Sequence, residues 1–284
     1  MIEFERFEQA LPGASAIVGG LEVELDLELL ARAPALRTIA SRTSQLRHID
    51  LEEARSRGIE VLFIEPDAPP LRETTSTAEE AFALVLALLR HVPWAFDSVK
   101  AGRWERGRYG GRELRGKTIG LVGFGRLGRM TAGYARAFGM RVLASDPGVS
   151  TTDEAELVPL DRLLAEADVV SIHCTFDEST RGLIGERELR LMKATAVLVN
   201  TARGEITDER ALLEALAGGR LAGAAVDTLA GERADGSHLH GNPLVEYART
   251  HENLLILPHL GGATVEATAR TQLYIAEKLA AHLR

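Results

Sequence analysis

Residues 119–146 read IGLVGFGRLGRMTAGYARAFGMRVLASD. An apolar β-run ends in Gly123-x-Gly125-x-x-Gly128, a helical pattern follows, and a second β-run stops at Asp146. Gly123 allows a tight strand-to-helix turn. Gly125 lets a pyrophosphate approach the backbone, and Gly128 lets the helix pack closely on the strand. The helix N-terminus offers free N–H groups and a positive dipole end to phosphates. Asp146 lies where a carboxylate accepts from an adenosine ribose, which indicates a bound dinucleotide. Its charge opposes a 2′-phosphate, so NAD is favoured over NADP. Arg126 stands at the turn, either reaching a phosphate or lying solvated against the pyrophosphate.

Three further sites follow apolar β-runs. The first is Asn200-Thr201-Ala202-Arg203-Gly204. Ligands of an open α/β sheet sit beyond the carboxyl ends of its strands, and an arginine there can bind a carboxylate through two parallel hydrogen bonds. The second is Ala224-Ala225-Val226-Asp227, with Glu232 shortly after. The third is Leu257-Pro258-His259-Leu260-Gly261-Gly262. Alone, each reads equally well as a helix cap, a solvated loop acid or a structural histidine. Together, beside a dinucleotide motif, they read as an anion clamp and a proton-transfer pair.

The elements that must position these residues alternate strand with helix almost throughout, which implies a parallel α/β sheet. Strands are expected at 16–18, 36–40 and 59–64, with helices at 26–32 and 51–56 between them. A longer helix is expected over 77–90, a break at Pro93, and another helix at 95–100. Residues 102–117, GRWERGRYGGRELRGK, are polar and irregular. Strands follow at 118–122, 141–144, 169–173, 196–199, 222–226 and 254–257, then a final helix over 265–283. His238 and His240 share a polar loop without a third ligand, so they read as solvated and no metal is expected.

Composition narrows the class. The chain has 284 residues, enough for two domains, and is 45% apolar. A net charge of −8 argues against nucleic acid and against an anionic membrane surface. The longest apolar run, 81–89, is too short to span a bilayer. The acidic start, MIEFERFEQ, does not read as a signal peptide. The one cysteine, Cys174, forms no internal disulfide and fits a reducing cytoplasm.

The stretches IDLEEARSRGIEV, TAEEAFALVLALLR, LRGKTIGLVGFGRLGR, NTARGEITDERALLEAL, LAGAAVDTLAGE and NLLILPHLGGAT occur in this order. In order and spacing the chain resembles the D-isomer-specific 2-hydroxyacid dehydrogenases, from about Leu36 onward. The resemblance implies an NAD-dependent oxidoreductase acting on a 2-hydroxy or 2-keto acid of the phosphoglycerate, glycerate or lactate type. It implies that Arg203 binds the substrate carboxylate and keto oxygen. His259 would be the general acid/base and Glu232 the acid that orients it. Asp227 would lie near the nicotinamide carboxamide. Arg126, Leu127, Thr175, Thr201, Ala202, Gly261 and Gly262 would contribute further cofactor contacts. Ser44 and Gln45 would lie in the loop that holds the substrate carboxylate. The implied fold is a Rossmann NAD-binding domain, 92–263, plus a smaller flavodoxin-like substrate domain, 1–91 with 264–284, with the active site in the cleft. Two cofactor domains would form a homodimer mostly through residues of about 95 to 150, with the segment 101–115, which carries Trp104 and Tyr109, reaching across to the partner.

Several positions depart from the family pattern. Family members begin with a strand and helix that are not evident before Ala14, so the substrate domain reads as shortened. The substrate loop, Ser41-Arg42-Thr43-Ser44-Gln45-Leu46-Arg47, has no glycine, which either hinders the backbone approach or leaves Arg42 and Arg47 to add a charge contact. Thr175 and Arg233 stand where proline is common. The stretch from Glu232 to His259 is long, and no regulatory domain is expected after the last helix. Two alternatives stay open: a dinucleotide-sensing binding protein like the corepressors of this fold, and a degenerate member that has lost its substrate.

Overall fold

The computed structural model describes residue 7, residues 9–21 and residues 23–284. The chain forms two units. One comprises Met1–Thr74, Arg233–Ser237 and Thr264–Arg284; the other comprises Thr75–Glu232 and His238–Ala263.

The first unit is built on a parallel sheet in the order β1 (Ala16–Gly19), β2 (Thr38–Ser41), β3 (Glu60–Leu62). The expected strands at 36–40 and 59–64 reach Leu36, Ile59 and Ile64, which are buried but lie outside the ladders. Their apolar character reflects packing, not pairing. Helices α1 (Leu27–Ala31) and α2 (Leu51–Ser56) start at aspartates. Asp26 accepts from Leu29 N and Asp50 from Glu53 N, which satisfies orphan amides of each first turn. Alternation along β2 sends Ile39 to a core with Ile17, Leu30 and Leu36. It sends Ala40 to the other face, against Leu62, Ile64 and Ile275. That second face is covered by α3 (Pro69–Arg72) and the last helix, α11 (Val265–His282).

The second unit holds a seven-stranded, wholly parallel sheet in the order β10-β9-β8-β7-β4-β5-β6. Its strands are β4 (Thr118–Val122), β5 (Arg141–Ser145), β6 (Glu156–Leu157), β7 (Val169–Ile172), β8 (Val197–Asn200), β9 (Gly223–Val226) and β10 (Leu254–Ile256). Helices α4 (Ser76–Leu89), α5 (Val92–Lys100), α6 (Arg126–Ala137), α7 (Leu160–Glu166), α8 (Glu186–Leu191), α9 (Glu209–Ala217) and α10 (Pro243–Ala248) complete it. Two apolar clusters pack on the sheet, so β4, β7, β8 and β9 are buried along their whole length. The chain order reverses between β4 and β7, the switch point at which open α/β sheets bind ligands.

Three expectations change. The division expected at residue 91 falls at Thr75, because α4 packs against α6, β8 and β9 of the second unit. The helix expected from Ala95 begins at Val92. The break lies at His91, whose φ of 53° is left-handed, and Pro93 sits in the first turn, where its missing N–H costs nothing. The two-residue strand β6 extends the sheet beyond β5. Among the described residues no single helix is long and apolar enough to cross a membrane.

Candidate active site

The glycine turn after β4 has the geometry its spacing predicts. Gly123 has φ 93°, and a methyl on it would sit 2.7 Å from Cys174 Cα and closer to Cys174 N. Only glycine fits both the conformation and the space. A methyl on Gly128 would lie 2.5 Å from Gly123 O, so this glycine brings α6 down onto the turn. Gly125 differs: a methyl there meets no atom within 4 Å. The backbone of Gly125, at the N-cap of α6, is open on the side where a diphosphate would lie. Leu127 and Arg126 occupy the first helical turn, and burial lowers the half-buried Arg126 guanidinium.

Asp146 follows β5 and is tied to this turn. Its Oδ2 accepts from Phe124 N at 2.7 Å, and its Oδ1 accepts from Gly148 N at 2.8 Å. Next to it, β7 runs into His173, Cys174 and Thr175. Burial pushes His173 down to about 4, so its ring is neutral beside Ser171 Oγ at 2.9 Å. The Cys174 thiol is pushed up to about 11 by the same cause. Thr175 O accepts from Thr180 Oγ1, which fixes the loop beyond the strand.

The β8 end is clamped by Asn200. Its side chain accepts from Ala202 N at 3.0 Å and donates to Arg203 O at 2.8 Å. This sets the path of Thr201, Ala202 and Arg203. Arg203 Nη1 donates to Ala202 O at 2.6 Å. Gly204 then passes against the loop after β9: a methyl on it would sit 2.7 Å from Leu229 Cα and closer to Leu229 C and Ala230 N. Glu209 Oε1 accepts from Ala230 N at 2.6 Å, and burial raises this carboxyl. The loop carrying Glu232 is thus fastened to the loop carrying Arg203.

Asp227 ends β9 and is buried. Its Oδ1 accepts from Leu260 N at 2.7 Å and its Oδ2 from Gly261 N at 2.9 Å, while its main-chain oxygen accepts from His259 N at 2.9 Å. His259, just after β10, has φ 55°, one of two non-glycine residues with positive φ among those described. Its Nδ1 lies 3.0 Å from Glu232 Oε2 and 3.1 Å from Oε1. A carboxylate accepts, so Nδ1 carries the hydrogen and Nε2 is left to face a reacting group. Gly262 has open space around it.

The structure therefore joins Gly123, Gly125, Gly128 and Asp146 at one turn, and His259 to both Glu232 and Asp227. Arg203 follows β8 and His259 follows β10, with β9 between the two strands. Ser44 and Gln45 lie in the first unit, in the loop after β2, where Thr43 Oγ1 donates to Gln45 O.

The pattern of residue types left four contributors unassigned. Asn200 and Glu209 lie inside the motif around Arg203 but act on backbone atoms. Thr228 lies beside Asp227. Glu80 is an acid inside the apolar run of α4. The hydroxyls of Thr201 and Thr228 are buried at the ends of β8 and β9 without a hydrogen-bond partner. Together with the open backbone at Gly125, these orphan groups fit a polar ligand laid across the strand ends.

The family model described as the D-isomer specific 2-hydroxyacid dehydrogenase NAD binding domain matches residues 82–261. The chain belongs to the D-isomer-specific 2-hydroxyacid dehydrogenase family. It is 38% identical over 274 residues to a D-3-phosphoglycerate dehydrogenase of Mycobacterium tuberculosis, covering 95% of this chain and 49% of the relative. It is 34% identical over 282 residues to a hydroxypyruvate reductase of Thermotoga maritima, covering 98% and 88%. The structure of D-lactate dehydrogenase from Aquifex aeolicus, complexed with NAD and lactic acid, superposes with a TM-score of 0.79 at 30% identity, covering 97% and 85%. The chain spans about half the length of the D-3-phosphoglycerate dehydrogenases it matches. In this family member the matched NAD-binding region begins inside α4, in keeping with the unit boundary at Thr75.

Proposed function

We propose that the chain is an NAD-dependent oxidoreductase interconverting a 2-hydroxy acid and a 2-keto acid. The observation that carries this reading is the His259–Glu232 pair at the end of β10, with Arg203 two strands away. Bound NAD supplies the hydride acceptor, and NADH the donor. During oxidation His259 Nε2 takes the proton of the C2 hydroxyl; during reduction it returns one to the keto oxygen. Glu232 holds Nδ1–H, fixing the ring's orientation and stabilising the imidazolium that forms. Arg203 offers its planar fork to the carboxylate. The assignment of Ser44 and Gln45 to substrate binding rests on the resemblance alone. Asp146 supports NAD over NADP, since a 2′-phosphate would meet its charge.

The class of substrate is a small 2-keto acid of the hydroxypyruvate, glyoxylate, pyruvate or phosphohydroxypyruvate type. Following NADH consumption with these four tests the reading. Turnover with at least one supports it. Tight NADH binding with no turnover would instead make the chain a dinucleotide-sensing binding protein.

A homodimer belongs to the same proposal. Val92, Phe96 and Val99 share one face of α5 and are 54%, 63% and 52% exposed, and Trp104 beyond them is 85% exposed. A stripe of this kind on a small polar loop and helix marks an interaction surface. Tyr109 is drawn back instead, with Arg108, onto Glu252. A cytoplasmic location is proposed on the free thiol of Cys174.

A further inference from the structure

The first turns of α4 bring a second carboxyl group to Asp227. A methyl built on Gly261 would lie 3.0 Å from Glu80 Oε2 and 3.2 Å from Asp227 Oδ2, so both oxygens border the same small space. No atom beyond the chain neighbours of Gly261 lies nearer to that methyl than Glu80 Oε2 and Thr77 Cγ2, and burial and the charge of Asp227 raise Glu80. Two ionised carboxylates bordering one buried space repel, which favours a proton on one of them. The surroundings decide which. Asp227 already receives two backbone N–H groups, from Leu260 and Gly261, which stabilise its anion. Glu80 Oε2 is buried and receives no donor.

We propose that Glu80 is a protonated positioning residue, donating a hydrogen bond to Asp227 and thereby holding the turn that presents His259. Asp227 is the hub of that turn. It pins the two residues after His259 through its side chain and His259 itself through its main-chain oxygen. His259 keeps a left-handed backbone that costs energy unless its neighbours fix it. Losing the Glu80 proton would set two negative charges against each other in a buried space, at the carboxyl that holds the turn.

The groups facing Glu80 are few. From β9 there is Asp227, whose charge raises it. From the turn after β10 there are the amides of Leu260 and Gly261, and on its own helix Thr77 Cγ2 borders the same space. Burial and the charge of Asp227 raise Glu80 to about 8. In the unfolded chain a glutamate titrates near ~4.3. The raised value contributes stability that is complete below the unfolded value and is lost as pH rises through about 8.

The structural part stands apart from the proposed dehydrogenase activity; only its catalytic consequence rests on that reading. The first test therefore uses the protein without cofactor. Infrared spectra with carbon-13-labelled glutamate should show a protonated carboxyl band at pH 7 that vanishes with a midpoint near 8. Glu80→Gln should abolish the band and flatten the fall in Tm between about pH 5 and 8 relative to wild type. Absence of the band at pH 7, or its persistence in Glu80→Gln, overturns the proposal. The second test is the pH profile of NADH turnover. Wild type should lose kcat on an alkaline limb near 8. Glu80→Ala should lose roughly tenfold or more at pH 7, and Glu80→Gln, whose amide N–H replaces the donor, should recover most of it without the alkaline limb. An unchanged limb in Glu80→Gln also overturns the proposal. Absence of turnover in every protein would refute the dehydrogenase reading and leave the infrared result to decide the role of Glu80.

Discussion

Gly204→Ala tests the packing that joins the Arg203 loop to the Glu232 loop. The added methyl meets Leu229 Cα at 2.7 Å and two backbone atoms more closely, where ordinary contacts begin at 3.4 Å. All three belong to backbone atoms, so no rotamer change relieves them. The loops must part by about 1 Å. Overpacking of this kind costs about 1–3 kcal/mol, which lowers Tm by roughly 2–12 °C in a unit of this size. The larger effect is on turnover, because a displacement of about 1 Å between catalytic groups costs roughly a hundredfold. Steady-state kinetics and calorimetry on the same sample measure both. Gly125→Ala is the matched control. Gly125 has φ −77° and open space, so the fold tolerates alanine there. The methyl would occupy the approach of the diphosphate, weakening NADH by roughly tenfold or more, about 1.4 kcal/mol, with Tm unchanged. A Gly204→Ala protein with wild-type kcat/KM and Tm would refute the reasoning. So would a Gly125→Ala protein that loses stability and keeps its NADH affinity.

Three further outcomes follow from the site and the surface. NADH should bind more tightly than NADPH, and Asp146→Ala should narrow the gap by about 1.5–3 kcal/mol, the range for hydrogen bonds to a charged group; isothermal titration yielding equal affinities for the unmutated protein would contradict this. His259→Ala should lower kcat by roughly two to four decades with little change in NADH affinity, and Arg203→Lys should mainly raise KM for the keto acid, since an ammonium has no planar fork. Sedimentation should show a dimer at micromolar concentration that Trp104→Glu dissociates; a monomeric wild type would remove the basis for the interface on α5.

What the sequence made legible was local. Gly123, Gly125, Gly128 and Asp146 announce themselves because one turn and one helix contain nearly all of their geometry. Glu232 and His259 were legible as a pair because parallel strands deliver their carboxyl ends to one edge, where the chemistry after β9 and β10 meets. Glu80 was not. It stands next to Glu79, which is exposed, and nothing in TAEEAFALVLALLR separates the two. Only the packing of α4 on β9 decides that one meets solvent and the other Asp227. The unit boundary failed for a related reason. Helix α4 buries residues on most of its circumference, so its periodicity names no partner. Strand β6 is two residues long and leaves no alternation to read.

The sheet of the first unit has an interval built into its birth. Its strands are contiguous in the chain, yet the helix that covers Ala40, Leu62 and Ile64 is α11, which follows the whole second unit. A ribosome adding about 5–20 residues per second needs roughly 10–40 seconds to make the intervening ~200 residues. For that time the face awaiting Ile275 has only the segment of Ala68 and α3 over it, and the cradle where Lys278 will meet Phe63 O and Glu65 stands open. The nascent chain therefore carries a sticky, half-finished sheet while an entire nucleotide-binding unit folds behind it. Chaperone occupancy should concentrate on that early segment and fall away once residue 282 has cleared the exit tunnel.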